Sequence, residues 1–192
     1  ESSSVIIPAE VAPFARYVEE KNRQQIRINF NQLGEAVLGN AEAERRLQAY
    51  LDRLQGDQID YASVKLSSIV SQVSLTGYEE TVAAMSRELR KIYRAAIKSG
   101  DVPGGGKAKF VNLDMEEYRD LHLTVDVFQR VLQESEFETL EAGIVLQAYL
   151  PDSYPVLEAL TEWAKVRYRE KGAGIKVRLV KGANLAMEQV EA

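Results

Sequence analysis

No cysteine occurs anywhere in the 192 residues. Disulfides, thiolate metal ligands and cysteine nucleophiles are therefore excluded, as suits a reducing compartment. Histidine occurs once, at His122. A site with two or more histidine ligands is impossible, and Ser-His-Asp catalysis would have to rest on that residue alone. A basic excess is also missing: 24 Lys and Arg stand against 29 Asp and Glu, for a net charge of -5. That balance argues against a nucleic-acid partner, which needs a clustered basic face. No apolar run approaches the roughly 20 residues of a membrane span, so no transmembrane segment is expected, and no signal peptide is recognisable.

What is present is ordinary for a soluble globular chain, 45% hydrophobic and 28% charged, with length enough for one domain and a sizeable core. His122 lies in EEYRDLHLTVDVFQRVL, where Leu121, Val125, Phe128 and Leu132 form a helical apolar stripe widened by Leu123, Val127 and Val131. His122 falls on the opposite side with Arg119, Asp126 and Gln129, and is expected to be an exposed surface residue.

After a polar start and a helix near Val11–Glu20, strands and helices alternate. Strands are predicted at Ile26–Phe30, Tyr61–Ser68, Lys109–Asp114, Gly143–Leu150 and Ile175–Val180. Helices are predicted between and after them at Ala41–Leu54, Tyr78–Lys98, Met115–Glu134, Ser153–Lys171 and from Leu185 onward. This βα rhythm implies a parallel sheet covered on both faces, as either an open doubly wound sheet or a β/α barrel.

The polar residues favour the barrel. Asn31, Gln32 and Glu35 follow the first strand, and Lys65 and Ser67 lie in the second. Asn112 and Asp114 close the third, Gln147 and Tyr149 the fourth, and Arg178 and Lys181 the fifth. A doubly wound sheet gathers its site at one crevice, whereas a barrel gathers it from the carboxyl ends of many strands. Two glycine-rich segments are decoys. PGGGK at Pro103–Lys107 lacks the Gly-x4-Gly-Lys-Ser/Thr pattern and precedes a strand, and KGAG at Lys171–Gly174 reads as a helix C-cap.

One segment is harder to place. IKVRLVKGAN, Ile175 to Asn184, has the β-branched content of a buried strand, yet it carries Arg178 in its middle. A buried, unpaired charge costs several kcal/mol, so the arginine is expected to have a partner or a task.

SVKLSS, FVNLDMEEYRDL, GIVLQAYLPDS and VRLVKGAN, in this order, resemble the proline dehydrogenase family. The closest likeness is to the proline dehydrogenase part of bacterial bifunctional proline utilisation proteins. NQLGEAVLG at Asn31–Gly39 is similar to the family's first-strand segment, so the resemblance runs from Ile26 to Ala192. It implies FAD as cofactor and oxidation of L-proline to Δ1-pyrroline-5-carboxylate, with hydride passing to flavin N5 and a quinone or other acceptor reoxidising the flavin.

By motif position, Lys65 matches the lysine beside the proline carboxylate and Asp114 the active-site aspartate. Gln147 matches a glutamine that hydrogen-bonds the flavin ring, and Arg178 the arginine at N5. Lys181, Gly182 and Ala183 would line the pocket, Glu35 would hold a substrate-binding arginine, and Tyr149 would face the substrate. Many members carry tyrosine where this chain has Asn184, so selectivity for proline is the least constrained part of the reading. The residue types suit the chemistry. A fixed cation beside a flavin accepting hydride stabilises the developing negative charge, and arginine stays charged with a rigid fork.

The implied fold is α/β, a partial (β/α)8 barrel holding the first five β/α units. Residues 1–25 form a helical lead-in and 26–192 the barrel segment. A complete barrel takes roughly 250 residues, and the family's last three strands and its late Arg-Arg-x-x-Glu helix are not found here. The chain is therefore expected to be part of a longer protein, inactive alone, completed by the rest of the barrel and by a fused aldehyde dehydrogenase domain. A cytoplasmic location follows, with peripheral association at the inner membrane as a variant. Two other readings stay open: an aldolase-like enzyme forming a Schiff base on Lys65 or Lys181, and a scaffold segment without catalysis.

Overall fold

The computed structural model describes residues 11–32, 37–98, 108–115, 117–170 and 172–181. Five strands form one sheet: β1 (Phe30–Asn31), β2 (Tyr61–Val64), β3 (Phe110–Leu113), β4 (Ala142–Gln147) and β5 (Ile175–Val180). The helices are α1 (Val11–Arg23), α2 (Asn40–Gln55), α3 (Leu66–Ile69), α4 (Tyr78–Lys98), α5 (Leu121–Leu132) and α6 (Ser153–Arg169). Spatial order follows chain order and every pairing is parallel. Right-handed crossovers between sequential neighbours put all connecting helices on one side of the sheet. A doubly wound sheet would instead reverse its strand order. The topology is that of a barrel segment.

Period-two alternation divides the strand residues. Ala62 and Val64, Val111 and Leu113, and Ile144 and Leu146 are buried in the core shared with Leu47, Leu89, Ile92 and Phe128 of the helices. The other face carries Tyr61, Ser63, Phe110, Asn112, Lys176 and Arg178, joined by contacts across strands. At the first edge, α1 covers β1, with Phe14 edge-on to Phe30 at 6.5 Å and Arg53 of α2 over both rings. His122 is exposed, as the helical phase predicts. None of the described helices is long and apolar enough to cross a membrane.

Several boundaries differ from expectation for identifiable reasons. The first strand is confined to Phe30–Asn31 because α1 ends in a C-terminal motif. Gln25 takes φ 60° and the Ile26 amide donates to the Lys21 carbonyl at 2.9 Å. The second strand stops at Val64. Lys65 becomes the N-cap of α3, and Ser68 donates to the Lys65 carbonyl from both its amide and its hydroxyl. The fourth strand starts at Ala142 and ends at Gln147, whose carbonyl accepts the Leu150 amide in a turn. The third helix after a strand starts late: Met115 is buried, a 3-10 turn occupies Tyr118–Asp120, and α5 begins at Leu121.

The strand β5 is not buried on both faces: Leu179 is 58% exposed and the Arg178 side chain 36%. As the last strand described it has a partner on one side only. Glu170 is the C-cap of α6 at φ -80°, ψ 15°, and the Gly172 amide donates to the Arg167 carbonyl at 2.9 Å, so the segment expected to cap the helix does close its end. Gly172 also serves close packing, since a Cβ there would lie 2.8 Å from Cγ of Arg167. The PGGGK segment and the helix expected from Leu185 lie outside the described residues.

Candidate active site

The inner face is layered along the strands. At the amino ends, Tyr61 and Phe110 meet edge to face at 5.1 Å, and Lys176 stands over both rings at 5.4 and 5.6 Å. Arg27 adds a cation beside Tyr61 and an ion pair to Asp60 at 3.0 Å. This layer of aromatic rings and cations lies at the amino end of the sheet. Above it the interior turns polar. Asn29 donates to the Ser63 hydroxyl at 2.9 Å, and Asn112 lies opposite Gly143 in the β3–β4 register.

At the carboxyl ends the groups converge on Asp114. Its Oδ1 accepts from Nδ2 of Asn112 at 2.8 Å and from Nη2 of Arg178 at 2.5 Å, and its Oδ2 accepts from Nδ2 of Asn31 at 3.2 Å. Donors thus reach one carboxylate from β1, β3 and β5. Burial raises the Asp114 carboxyl above the usual aspartate range, opposed by Arg178, Ser63, Asn112 and Lys65. Its side chain is only 9% exposed, so the carboxylate depends on these partners in place of water. Arg178 engages it through one end of its guanidinium. The Nε of Arg178 is buried and has no hydrogen-bond partner among the described residues.

The remaining sequence-predicted residues fall around this pair. Lys65 is buried at the end of β2 and contributes positive potential to Asp114. Gln147 is buried at the end of β4, and its Nε2 donates to the Tyr149 hydroxyl at 2.8 Å, which fixes both side chains beyond the strand. Lys181 follows β5 and is exposed. Glu35, Gly182, Ala183 and Asn184 lie outside the described residues.

Sequence reasoning noted Asn31 and Asn112 as polar strand ends without giving them a task, and passed over Ser63. The signal was available in the strand period. In VNLD, Asn112 and Asp114 are two residues apart and must share a face, as Asn29 and Asn31 do in INFN.

Residues 14–192 match the family described as proline dehydrogenase. Among solved structures, Proline Utilization A from Corynebacterium freiburgense is 44% identical, with a TM-score of 0.89 over 97% of this chain and 19% of that one. The enzyme of the same name from Bdellovibrio bacteriovorus, solved after inactivation by N-propargylglycine, is 33% identical, with a TM-score of 0.78 over 93% of this chain and 20% of that one. The Bradyrhizobium japonicum protein, at 23% identity and a TM-score of 0.73, shares the fold. No curated protein matches the sequence. The chain spans about a fifth of the length of the solved relatives. With the match reaching from α1 past β5, the chain belongs to the proline dehydrogenase family.

Proposed function

We propose that this chain forms the first five β/α units of an FAD-dependent proline dehydrogenase. In this reading the whole protein oxidises L-proline to Δ1-pyrroline-5-carboxylate, passes electrons to a quinone or similar acceptor, and carries an aldehyde dehydrogenase domain that handles the product. The observation that supports it most is the Asp114–Arg178 pair, with the buried Nε of Arg178 left over as a donor.

A buried N–H without a partner is costly, and a flavin ring offers acceptors that would satisfy it. The residues present fit the group. Arg178 would lie against its ring, Gln147 would hydrogen-bond the ring edge, and Lys181 would line the pocket. When bound, the flavin supplies a two-electron acceptor for hydride.

The chain's own residues do the rest. Arg178, anchored by Asp114, keeps a permanent cation where negative charge develops, and its fixed geometry means little reorganisation during reaction. Lys65 supplies a second cation, toward the substrate carboxylate. Asp114 balances both and prevents their mutual repulsion from opening the site. Glu35, Gly182, Ala183 and Asn184 are proposed to complete the pocket, as the motif positions imply.

The test uses the protein extended to the length of its relatives. It should purify with bound flavin and reduce a dye in the presence of proline. Arg178→Ala should weaken flavin retention or slow flavin reduction on the order of a hundredfold, the scale of losing one preorganised electrostatic group. A protein without flavin, or one trapped by borohydride as a lysine adduct of a carbonyl substrate, would overturn the proposal.

A further inference from the structure

We propose that Asn112 is a positioning residue: seated in space left by the missing side chain of Gly143, its amide presents the Asp114 carboxylate to Arg178. The inference rests on the function proposed above and assigns a task to two residues that take no direct part in it.

The argument begins with an apparent flaw in packing. Asn112 is fully buried, and its Oδ1 has no hydrogen-bond partner among the described residues. A buried carbonyl without a partner destabilises the fold. An apolar side chain would fill the position without that cost, so packing alone does not account for an asparagine here.

The other half of the amide explains it. Nδ2 donates to Oδ1 of Asp114 at 2.8 Å, the same oxygen that receives Nη2 of Arg178. Asparagine and aspartate are two positions apart on one face of β3, so the backbone itself fixes their spacing. Asn31 holds the second oxygen from β1. A carboxylate held at both oxygens cannot turn about its terminal torsion, which is otherwise broad, and Oδ1 stays directed at β5.

Gly143 makes this arrangement possible. It lies opposite Asn112 in the strand register. A Cβ on residue 143 would come within 2.6 Å of Oδ1 of Asn112 and 3.0 Å of the Phe110 ring. The phenyl ring has only to give slightly, whereas the amide would have to leave its place. The inner layer thus narrows on β4, which leaves room for the amide on β3.

The test is made in the flavin-loaded, full-length protein with Asn112→Leu, Gly143→Ala, Arg178→Ala and the double variant Asn112→Leu/Arg178→Ala. Asn112→Leu and Gly143→Ala should each slow flavin reduction by proline on the order of tenfold, as expected for a misplaced reacting group. The double variant should be no slower than Arg178→Ala alone, because Asn112 acts through that pair. A merely structural residue would add its effect to that of Arg178→Ala. Independent rates in the double variant, or wild-type rates in both single variants, would overturn the inference.

A second arm needs no flavin. Crystal structures of the two single variants should show Asp114 turned away from hydrogen-bonding distance of Arg178. An intact contact in both would also overturn the inference, and should one variant fail to fold, the other decides. A wild-type protein lacking flavin would overturn the proposed function while leaving this structural arm to decide the positioning by itself.

Discussion

Oδ1 of Asp114, just past β3, accepts a 2.5 Å hydrogen bond from Nη2 of Arg178 in the middle of β5, with β4 lying between them. The contact spans the inner face, so it reports the curvature of the sheet as well as local chemistry. It also joins unequal environments: the carboxylate is 9% exposed and the arginine 36%. The aspartate bears most of the desolvation, and its protonation should therefore leave a trace in stability.

Burial holds the Asp114 carboxyl above its ordinary value of 3.8 even with Arg178 beside it. Between that value and the raised native one, the folded chain binds more protons than the unfolded chain. Stability therefore falls as pH rises through this window, and the contribution is fully present below it. Replacing Asp114 by Asn removes the dependence. Urea unfolding across the acid range should show the variant gaining on wild type as pH climbs above 3.8. Parallel pH curves for the two proteins would show that the carboxyl is not raised.

Lys65 is a buried cation on the same face, at the point where β2 gives way to α3. Burial of a lysine needs anionic company, and Asp114 is shared with Arg178. Lys65→Met keeps most of the stem packed and removes the charge. If the lysine meets the substrate carboxylate, the variant should raise KM for proline about tenfold, the scale of one lost charge contact, with flavin content unchanged. Steady-state kinetics beside a flavin absorbance reading separates the two. An unchanged KM would remove Lys65 from the substrate site.

Much of this arrangement was legible in the sequence, and the exceptions have physical causes. The βα rhythm and the phase of polar residues lead to a barrel segment, and α4 begins and ends where its pattern places it, Tyr78–Lys98. Periodicity failed where hydrogen bonds outside the ladder took over. The αL residue Gln25 ends α1 in a motif that consumes Ile26, and Ser68 turns the chain at Lys65. Arg178 was legible as an anomaly but not as a member of a pair, because residues 64 positions apart come together only through sheet curvature. Gly143 carried no local signal at all; its role depends on what faces it across the strand.

Arg167 illustrates the same limit in a structural setting. It is 7% exposed near the end of α6, and its guanidinium donates to the carbonyls of Leu132, Phe137, Glu138, Leu140 and Ala173. Those carbonyls belong to the end of α5, the connection from it to β4, and the turn before β5, so one side chain ties both strand entries together. Arg167→Met would leave several buried carbonyls unpaired, with a cost of about 3 kcal/mol. Lysine should rescue little, since one ammonium cannot match a planar fork. A lower urea midpoint at unchanged denaturant slope is expected; a loss below about 1 kcal/mol would mean that water replaces the guanidinium.

The seam between α4 and α5 should separate two kinds of polar contact. Three ion pairs cross from α4 to α5 or the turn after it: Glu79 with Arg130, Arg90 with Glu134 at 2.8 Å, and Arg94 with Glu136 at 2.5 Å. At the amino end of α4, the Tyr78 hydroxyl donates to Oδ2 of Asp126 at 2.6 Å in a half-buried setting. Burial, reinforced by Asp126, holds the Tyr78 phenol well above the usual tyrosine range. A neutral donor to a shielded carboxylate gives a strong hydrogen bond that salt screens poorly, whereas exposed pairs are worth little and are screened readily. Tyr78→Phe should cost about 1–2 kcal/mol and retain that cost in molar salt. Arg94→Ala should cost less, and the loss should fade as salt is added. Thermal melts of both variants at low and high ionic strength distinguish the cases. A Tyr78→Phe effect that disappears with salt would show that the phenol and Asp126 do not form a shielded hydrogen bond.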